Sequence, residues 1–237
     1  MMPRGVGVVV AIAVMLLGAG CNTERGSGTV VTRRIDVPSF SRLEVSDSFT
    51  VDVSVGDVEE VTVRVDDNLV GLLDIGVSGD TLRIGVESGT DVLDATMEAN
   101  VTVSSLDELR AAGASTVRLA DPLAADTLGV SISGSSRLTG AVDIDEGTID
   151  LSGSSIAEPS GTARGLEARV SDASQFDAPE LTVADLTIEL SGASLANVDV
   201  TDTLSAGASG ASTLRYAGSP VVERSDVSGS SSIEPVG

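Results

Sequence analysis

The sequence has no histidine, no lysine and no tryptophan, and its only cysteine is Cys21. Without histidine, and with that cysteine near the N-terminus, no Ser-His-Asp or Cys-His arrangement and no zinc-type ligand set can be assembled. One cysteine also excludes a disulfide within the chain, so the fold must depend on packing and hydrogen bonding. We therefore predict a protein that is not an enzyme and has no catalytic, cofactor-binding or metal-binding residues.

Aromatic side chains and positive charges are also scarce. The chain has one Tyr and three Phe, and 36 acidic residues against 14 basic ones give a net charge of −22. Such a surface repels nucleic acid and anionic lipid headgroups. The shortage of aromatic faces also disfavours stacking against sugars or single-stranded nucleic acid. We expect no nucleic-acid partner.

The first 20 residues have the properties of a lipoprotein signal peptide. Arg4 supplies a short positive end, and the apolar run Val6–Leu17 is shorter than the ~20 residues that span a bilayer. The run leads into Leu17-Gly18-Ala19-Gly20-Cys21, which resembles a bacterial lipobox with its leucine one step early. In that motif a signal peptidase cuts before a cysteine that carries diacylglycerol. We predict export and a lipid on Cys21 that anchors the protein in the membrane, outside the cytoplasm. An ordinary secretory signal followed by an unrelated cysteine is the alternative.

The rest of the chain divides by composition. Residues 21–33 are polar and contain glycine, with no apolar period before Val30, which is typical of a flexible tether. Residues 34–237 are predicted to form one β domain, with a less regular part over 34–105 and repeat coils over 106–237.

A short phrase recurs seven times in the second half of the chain. It consists of an apolar or Ala residue, Ala or Ser, Gly or Asp, Ala or Ser, and then Ser, at steps of about 19 residues. The central residues are Gly113, Gly134, Gly153, Asp172, Gly192, Gly210 and Gly229. Repeats of this length are typical of stacked units that cannot bury an apolar face alone.

Each repeat carries the alternation of a half-buried strand, as at Leu128, Val130 and Ile132. The Gly or Asp that follows tolerates the positive φ that a sharp corner needs. We therefore predict an all-β fold, a right-handed β-helix or solenoid preceded by strand hairpins. The side chains predicted to point inward before the corners are Ala111, Ile132, Leu151, Val170, Leu190, Ala208 and Val227. Those predicted to point inward three or four positions after the corners are Val117, Leu138, Ile156, Phe176, Leu195, Leu214 and Ile233.

Two columns of serine accompany the corners. The serines two positions after each centre are predicted to satisfy backbone groups at the bend, although a functional column is the alternative. These are Ser115, Ser136, Ser155, Ser174, Ser194, Ser212 and Ser231. The serines one position before the centre should point outward, either because serine fits beside a corner or as a docking strip for a glycan or a protein edge. These are Ser133, Ser152, Ser171, Ser191, Ser209 and Ser228.

The less regular part contains hairpin signals. Gly56-Asp57 is predicted to turn the strand that contains Val51 back toward Val61, and Ser78-Gly79-Asp80 is predicted to form a second turn. Asn68–Asp74 is the one plausible helical turn.

Several segments resemble the bacterial GIN domain, also called the putative autotransporter-adhesin head domain. They are Phe40-Ser41-Arg42-Leu43-Glu44-Val45, Phe49-Thr50-Val51-Asp52-Val53, Val61-Thr62-Val63, Asp66-Asp67-Asn68-Leu69, Thr81-Leu82-Arg83-Ile84 and Leu109-Arg110-Ala111-Ala112-Gly113-Ala114-Ser115. The resemblance extends from Ile35 to Val227. It implies a β-helical domain on an exported, often lipid-anchored protein, and it brings no catalytic or ligand residues.

Two acidic clusters keep other chemistry open. Asp143-Ile144-Asp145-Glu146 and Asp66-Asp67-Asn68 could hydrolyse a glycosidic bond if two carboxylates converged, or could bind calcium. We interpret both as solvated surface. The favoured function is a non-enzymatic, lipid-anchored envelope protein that presents a binding or adhesin-like domain to an envelope glycan or protein. The alternatives are a carbohydrate-active β-helix enzyme and an envelope structural protein that stacks end to end through its terminal coils.

Overall fold

The computed structural model describes residues 22–236. Apart from a short 3-10 helix, Asp67–Leu72, the regular structure in this part of the chain is β-strand. The N-terminal strands are β1 (Asn22–Arg25), β2 (Val30–Ile35), β3 (Arg42–Val45), β4 (Thr50–Val55), β5 (Glu60–Asp66), β6 (Leu73–Ser78), β7 (Thr81–Val86), β8 (Thr90–Leu93) and β9 (Met97–Val103). The repeat strands are β10 (Glu108–Ala111), β11 (Thr116–Leu119), β12 (Leu123–Ile132), β13 (Arg137–Leu151), β14 (Ile156–Val170), β15 (Gln175–Leu190), β16 (Leu195–Ala208), β17 (Thr213–Gly218), β18 (Val221–Val227) and β19 (Ser232–Pro235). None of these residues belongs to a helix long and apolar enough to cross a membrane.

From β10 onward the chain forms a stack of parallel coils. The segment before each corner pairs with the equivalent segment of the next coil. The aligned positions before the corners are Ala111, Ile132, Leu151, Val170, Leu190, Ala208 and Val227. The first six are buried as predicted, whereas Val227, in the last coil, is 51% exposed. Strands β13 to β16 each run from one corner to the next, so each is one coil. The predicted β-solenoid with a repeat of about 19 residues is confirmed.

The seven corner residues lie where the predicted turns were placed, and all have positive φ, from 62° at Asp172 to 80° at Gly210. Close stacking adds a second requirement for glycine. A Cβ added at Gly210 would lie 2.5 Å from the carbonyl oxygen of Gly192 in the preceding coil. Asp172 is the exception among the corners, and its carboxylate accepts a 2.9 Å hydrogen bond from the amide of Gly153.

The serine after each corner satisfies backbone groups inside the bend. The Ser155 hydroxyl donates to the Ser152 carbonyl over 2.7 Å, and the Ser155 amide lies 3.4 Å from the hydroxyl oxygen of Ser174 in the next coil. Ser115 and Ser212 make the same two kinds of contact in their coils. These side chains are buried, so the column has a structural role.

Two of the predicted inward positions after the corners are wrong. Ile156 and Leu195 stand three residues after their corners and are only half-buried, whereas Ala157 and Ala196, one residue on, are 0% exposed. Parallel pairing fixes which side faces the core: Ala157 aligns with the buried Leu138 and therefore points inward despite its small size.

The stack begins one coil earlier than the repeat phrase indicates. Strands β3 and β4 pair in parallel with β10 and β11, so Val45 aligns with Ala111 and Val51 with Val117. Asp47, with φ 59°, is the corner of this extra coil. The phrase is disguised there because Phe49 occupies the serine position.

One of the two predicted hairpins is wrong. Strands β6 and β7 form the hairpin expected at Ser78-Gly79-Asp80. Strands β4 and β5 are separated by β9, which pairs with β4 in parallel and with β5 in antiparallel fashion. The reason is that β4 already has a parallel neighbour on each side, β11 and β9, and continues the stack.

Together β2, β5, β6, β7 and β9 close the end of the solenoid opposite β18, and we call this end the cap. The segment expected to be a flexible tether is part of it. Strand β1 pairs with β8, and β2, which starts at Val30, pairs with β5. Backbone pairing does not require apolar side chains, so the polar composition of residues 21–33 does not distinguish a paired strand from a flexible tether. Cys21 lies outside the described residues.

Candidate binding face

The outward side chains of the strand segments before the corners form one regular surface, which we call the charged face. Its members are aligned by the parallel register in three columns that run along the stack. The first column is Thr127, Glu146, Gly165, Asp185 and Thr203; the second is Gly129, Thr148, Glu167, Thr187 and Ser205; the third is Ser131, Asp150, Arg169, Glu189 and Gly207. The columns therefore present hydroxyls and charges at coil spacing, about 4.8 Å.

Two grooves follow the charged face along the stack. One has a volume of about 410 Å³ and crosses four coils, from Thr127 to Thr187, between the first and second columns. The other, of about 380 Å³, crosses five coils, from Ser131 to Ser209, beside the third column. Hydroxyls and carboxylates line both, which makes them suited to a polar, extended ligand.

Glycines at outward positions make room for the acidic side chains of the neighbouring coil. A Cβ at Gly165 would overlap the carboxylate of Glu146, and a Cβ at Gly207 would overlap that of Glu189. Both glycines are buried beneath these carboxylates although they face outward. The acids consequently lie flat across the sheet.

Arginines neutralise part of the charged face. Arg164 contacts Glu146 at 2.7 Å, and Arg169 bridges Glu167 and Asp150. Hydrogen bonds to Asp226 and Glu189 raise the pKa of Arg224, which lies on β18 at the end of the same face. These pairs are solvent-exposed, so they organise the surface and contribute little to stability.

The predicted outward serines border the second groove. Ser152, Ser171, Ser191 and Ser209 line it, at the edge of the charged face next to the corners. Most are half-buried, and the hydroxyls of Ser171 and Ser209 donate to the carbonyls of Leu151 and Leu190 in the preceding coils. These four serines therefore present hydroxyl groups to the groove, and two of the four are already hydrogen-bonded to the backbone.

The acidic clusters have partners within the protein. Asp143 accepts a hydrogen bond of 2.5 Å from Thr162, and Arg164 contacts both Asp145 and Glu146. The Asp66-Asp67-Asn68 cluster binds the segment that follows β1. Over residues 22–236 no group of three or more His, Cys, Asp or Glu is placed to hold a metal ion.

The grooves were not foreseen from the sequence. A signal was present, because Gly129, Gly165 and Gly207 each occupy an outward strand position next to an acid or hydroxyl in the adjacent coil. Glycine inside a strand often marks a close approach. The pattern becomes readable only after the coil register is known.

A stack of parallel coils with a capped end and a grooved polar face defines the class of this protein as a β-solenoid domain. The family model described as "Putative auto-transporter adhesin, head GIN domain" matches residues 39–220, and the chain belongs to this family. The resemblance found in the sequence is thereby confirmed.

Solved structures share the fold. A putative adhesin from Bacteroides fragilis is similar with a TM-score of 0.81 and 18% identity, over 90% of this chain and 100% of that chain. A putative adhesin from Parabacteroides distasonis has a TM-score of 0.74 and 21% identity, over 91% and 100%. A putative lipid binding protein from the same organism has a TM-score of 0.71 and 17% identity, over 91% and 100%. A search of curated protein sequences found no significant match.

Proposed function

We propose that this protein is a non-enzymatic, lipid-anchored envelope protein that uses the charged face of its solenoid as an adhesin-like binding surface. The observation that carries the proposal is the pair of grooves that continue across four and five coils. Contacts repeated at coil spacing suit a linear polymer lying along the stack. Affinity is then spread over many weak contacts, so loss of any single acid leaves most of it.

The residue content supports binding without turnover. The chain has no histidine or lysine to serve as a base, and the carboxylates Glu146 and Glu167 beside the larger groove are paired with arginines. The family's description as an adhesin head domain agrees with this reading. The lipobox-like segment that ends at Cys21 supports anchorage at the cell envelope.

Obstruction of a groove tests the proposal. The purified fragment of residues 22–237 is incubated with a panel of envelope polysaccharides, and binding is measured by calorimetry. Thr148→Trp fills the larger groove and should weaken binding at least tenfold, whereas Thr139→Trp on another side of the coil should not. Equal affinities for the two variants exclude this face as the binding site. Product release that Glu167→Gln abolishes would favour a carbohydrate-active enzyme instead.

A second candidate function is end-to-end association of solenoids. Within the described residues, β18 pairs with β16 on one edge, and all seven of its residues are exposed. Val221 and Val227 are 68% and 51% exposed. An edge strand with exposed valines is a template for pairing with another chain. Sedimentation of wild type and of a Val227→Lys variant tests this: a dimer that the variant converts to monomer supports it, and a monomeric wild type excludes it.

A further inference from the structure

The segment that leaves the predicted lipid site is fastened to the cap. The Ser27 amide donates to the side-chain oxygen of Asn68 over 3.0 Å, and the Asn68 amide group donates to the Arg25 carbonyl over 2.8 Å. The Ser27 hydroxyl donates to Asp67 over 2.5 Å. Asp66, only 1% exposed, accepts a 2.5 Å hydrogen bond from the Gly28 amide. We call Asp66, Asp67 and Asn68 the clamp.

Steric fit reinforces these hydrogen bonds. A Cβ at Gly26 would lie 2.7 Å from the carbonyl oxygen of Asp94 and 2.9 Å from the carboxyl carbon of Asp66. The Gly26 amide also donates to the Leu93 carbonyl over 3.1 Å. The segment therefore passes through a narrow space between the clamp and β8, with backbone bonds on both sides.

The pairing of β1 with β8 leaves almost no free chain between a lipid on Cys21 and the folded domain. Strand β1 begins at Asn22, the residue directly after Cys21, and it pairs with β8 along its whole length. One residue of extended chain spans at most ~3.6 Å. The acyl chains of a diacylglycerol on that cysteine would insert into the hydrocarbon and its glycerol would lie at the level of the lipid headgroups, which would place the β1–β8 pair there too.

Strand β8 lies in the chain between two strands of the cap. It connects β7 and β9, which pair with β3 and β4 of the first coil from the outer side. The coils from β10 to β18 extend from the opposite side of that first coil. We infer that the cap, together with the adjoining β1–β8 pair, is a membrane-facing surface that rests on lipid headgroups and directs the terminal coil away from the bilayer. This inference rests on the proposed lipid anchor.

The surface of the β1–β8 pair suits headgroups better than hydrocarbon. Thr23, Glu24 and Asp91 are exposed, and Leu93 is an exposed apolar side chain, 45% exposed. The carboxylates of Glu24 and Asp91 are repelled by anionic headgroups, whereas zwitterionic headgroups carry no net charge that would repel them. In this orientation the charged face extends away from the bilayer and remains open to a ligand.

Energy transfer from introduced labels tests this orientation. The full chain, expressed with its lipid, is placed in phosphatidylcholine vesicles that contain a headgroup-labelled acceptor lipid. A thioether-linked Cys21 does not react with maleimide, so Thr90→Cys on β8 and Ser230→Cys in the last coil can each carry a single donor. Eight coil steps of about 4.8 Å separate the two layers, roughly 38 Å. We expect transfer to be at least twofold more efficient from position 90.

Removal of the clamp provides the second comparison. Asp67→Ala combined with Asn68→Ala removes three hydrogen bonds to residues 25–27. This double variant should reduce the difference in transfer efficiency between the labels at positions 90 and 230. Asp177→Ala combined with Asn197→Ala removes a matched Asp–Asn pair that joins two coils far from the clamp, and it should leave the difference in transfer efficiency unchanged. Melting curves of both double variants establish that they are folded, and the single substitution Ser27→Ala replaces the clamp variant if it is not.

The outcomes separate the two proposals. Equal transfer from both positions in the vesicle-bound wild type overturns the orientation and leaves the lipid anchor standing. A protein that stays out of the vesicles and lacks the mass of a lipid on Cys21 overturns the anchor itself. Hydrogen exchange of the soluble 22–237 fragment decides whether the clamp exists in solution: the amides of Ser27 and Gly28 should be protected, and rapid exchange at both contradicts the inference.

Discussion

The amide of Ser115 donates a 3.1 Å hydrogen bond to the hydroxyl oxygen of Ser136 in the next coil, and both residues are buried. Similar bonds join Ser155 to Ser174 and Ser212 to Ser231. At each corner the backbone leaves the strand pattern, so an amide that would otherwise be unpaired in the interior finds a side-chain acceptor one coil away. The repeat phrase is therefore a hydrogen-bonding device as well as a turn.

Ser136→Ala should destabilise the solenoid. The substitution leaves the buried Ser115 amide without its acceptor, which costs about 1–3 kcal/mol. Urea denaturation measures the loss. Ser135→Ala, at the exposed neighbouring position, is the control and should change the midpoint little. Indistinguishable midpoints for the two variants would show that the amide has another partner.

Leu190→Asp should be far more damaging than Ser191→Asp. Leu190 is 2% exposed and aligns with Val170 and Ala208 in the adjacent coils, so the aspartate would bury an unpaired carboxylate and lose apolar contact. The Leu190→Asp substitution should lower the free energy of unfolding by at least several kcal/mol. Ser191 is exposed one residue away, and its substitution should be nearly neutral. Thermal denaturation compares them, and equal shifts are incompatible with this register.

A side chain at a corner glycine should strain the stack. Gly192 has φ 75°, and a Cβ there would lie 2.5 Å from the Asp172 carbonyl oxygen. Gly192→Ala should cost about 1–3 kcal/mol. Gly76→Ala in β6 is a suitable control, because that glycine has no positive φ and an open space around it. A melting temperature for Gly192→Ala at or above that of Gly76→Ala would contradict the packing argument.

The features that could be predicted from the sequence are those set by neighbouring residues. Alternation at Leu128, Val130 and Ile132 and a positive-φ residue after it determine strand and corner locally, and the repeat multiplies the signal. The inward place of Ala157 was missed because the parallel register, a long-range property, overrides side-chain size.

Long-range pairing also explains the other differences. The insertion of β9 between β4 and β5 joins residues about 40 positions apart, and no turn signal marks such a contact. The polar composition of residues 22–29 indicates a tether until Asp66 and Asn68 are known to lie beside it. The grooves also depend on long-range pairing. The role of Gly165 becomes clear only when Glu146 of the neighbouring coil is known to lie across it.

Cys21→Ser should release the protein from the membrane. The lipid that is proposed to hold the protein in the membrane is attached to this residue, and serine lacks the thiol that forms the thioether. In phase separation with a cloud-point detergent the wild type should enter the detergent phase and the variant the aqueous phase. Incorporation of labelled fatty acid provides an independent readout. A wild type that takes up no label and stays aqueous is an ordinary secreted protein.

Binding of an acidic envelope polymer should require divalent cations. The chain carries a net charge of −22, and the larger groove on the charged face is lined by Glu146, Glu167 and Asp185, so a polyanion is repelled on approach. Calcium or magnesium can bridge the two sets of carboxylates, whereas monovalent salt only screens them over a Debye length of about 8 Å at physiological strength. Titration of an acidic and a neutral polysaccharide with and without chelator separates the cases. The acidic polymer should lose binding in chelator, and the neutral one should keep it. Binding of the acidic polymer that persists in chelator would require a positive surface, and the paired state of Arg164 and Arg169 argues that the charged face does not supply one.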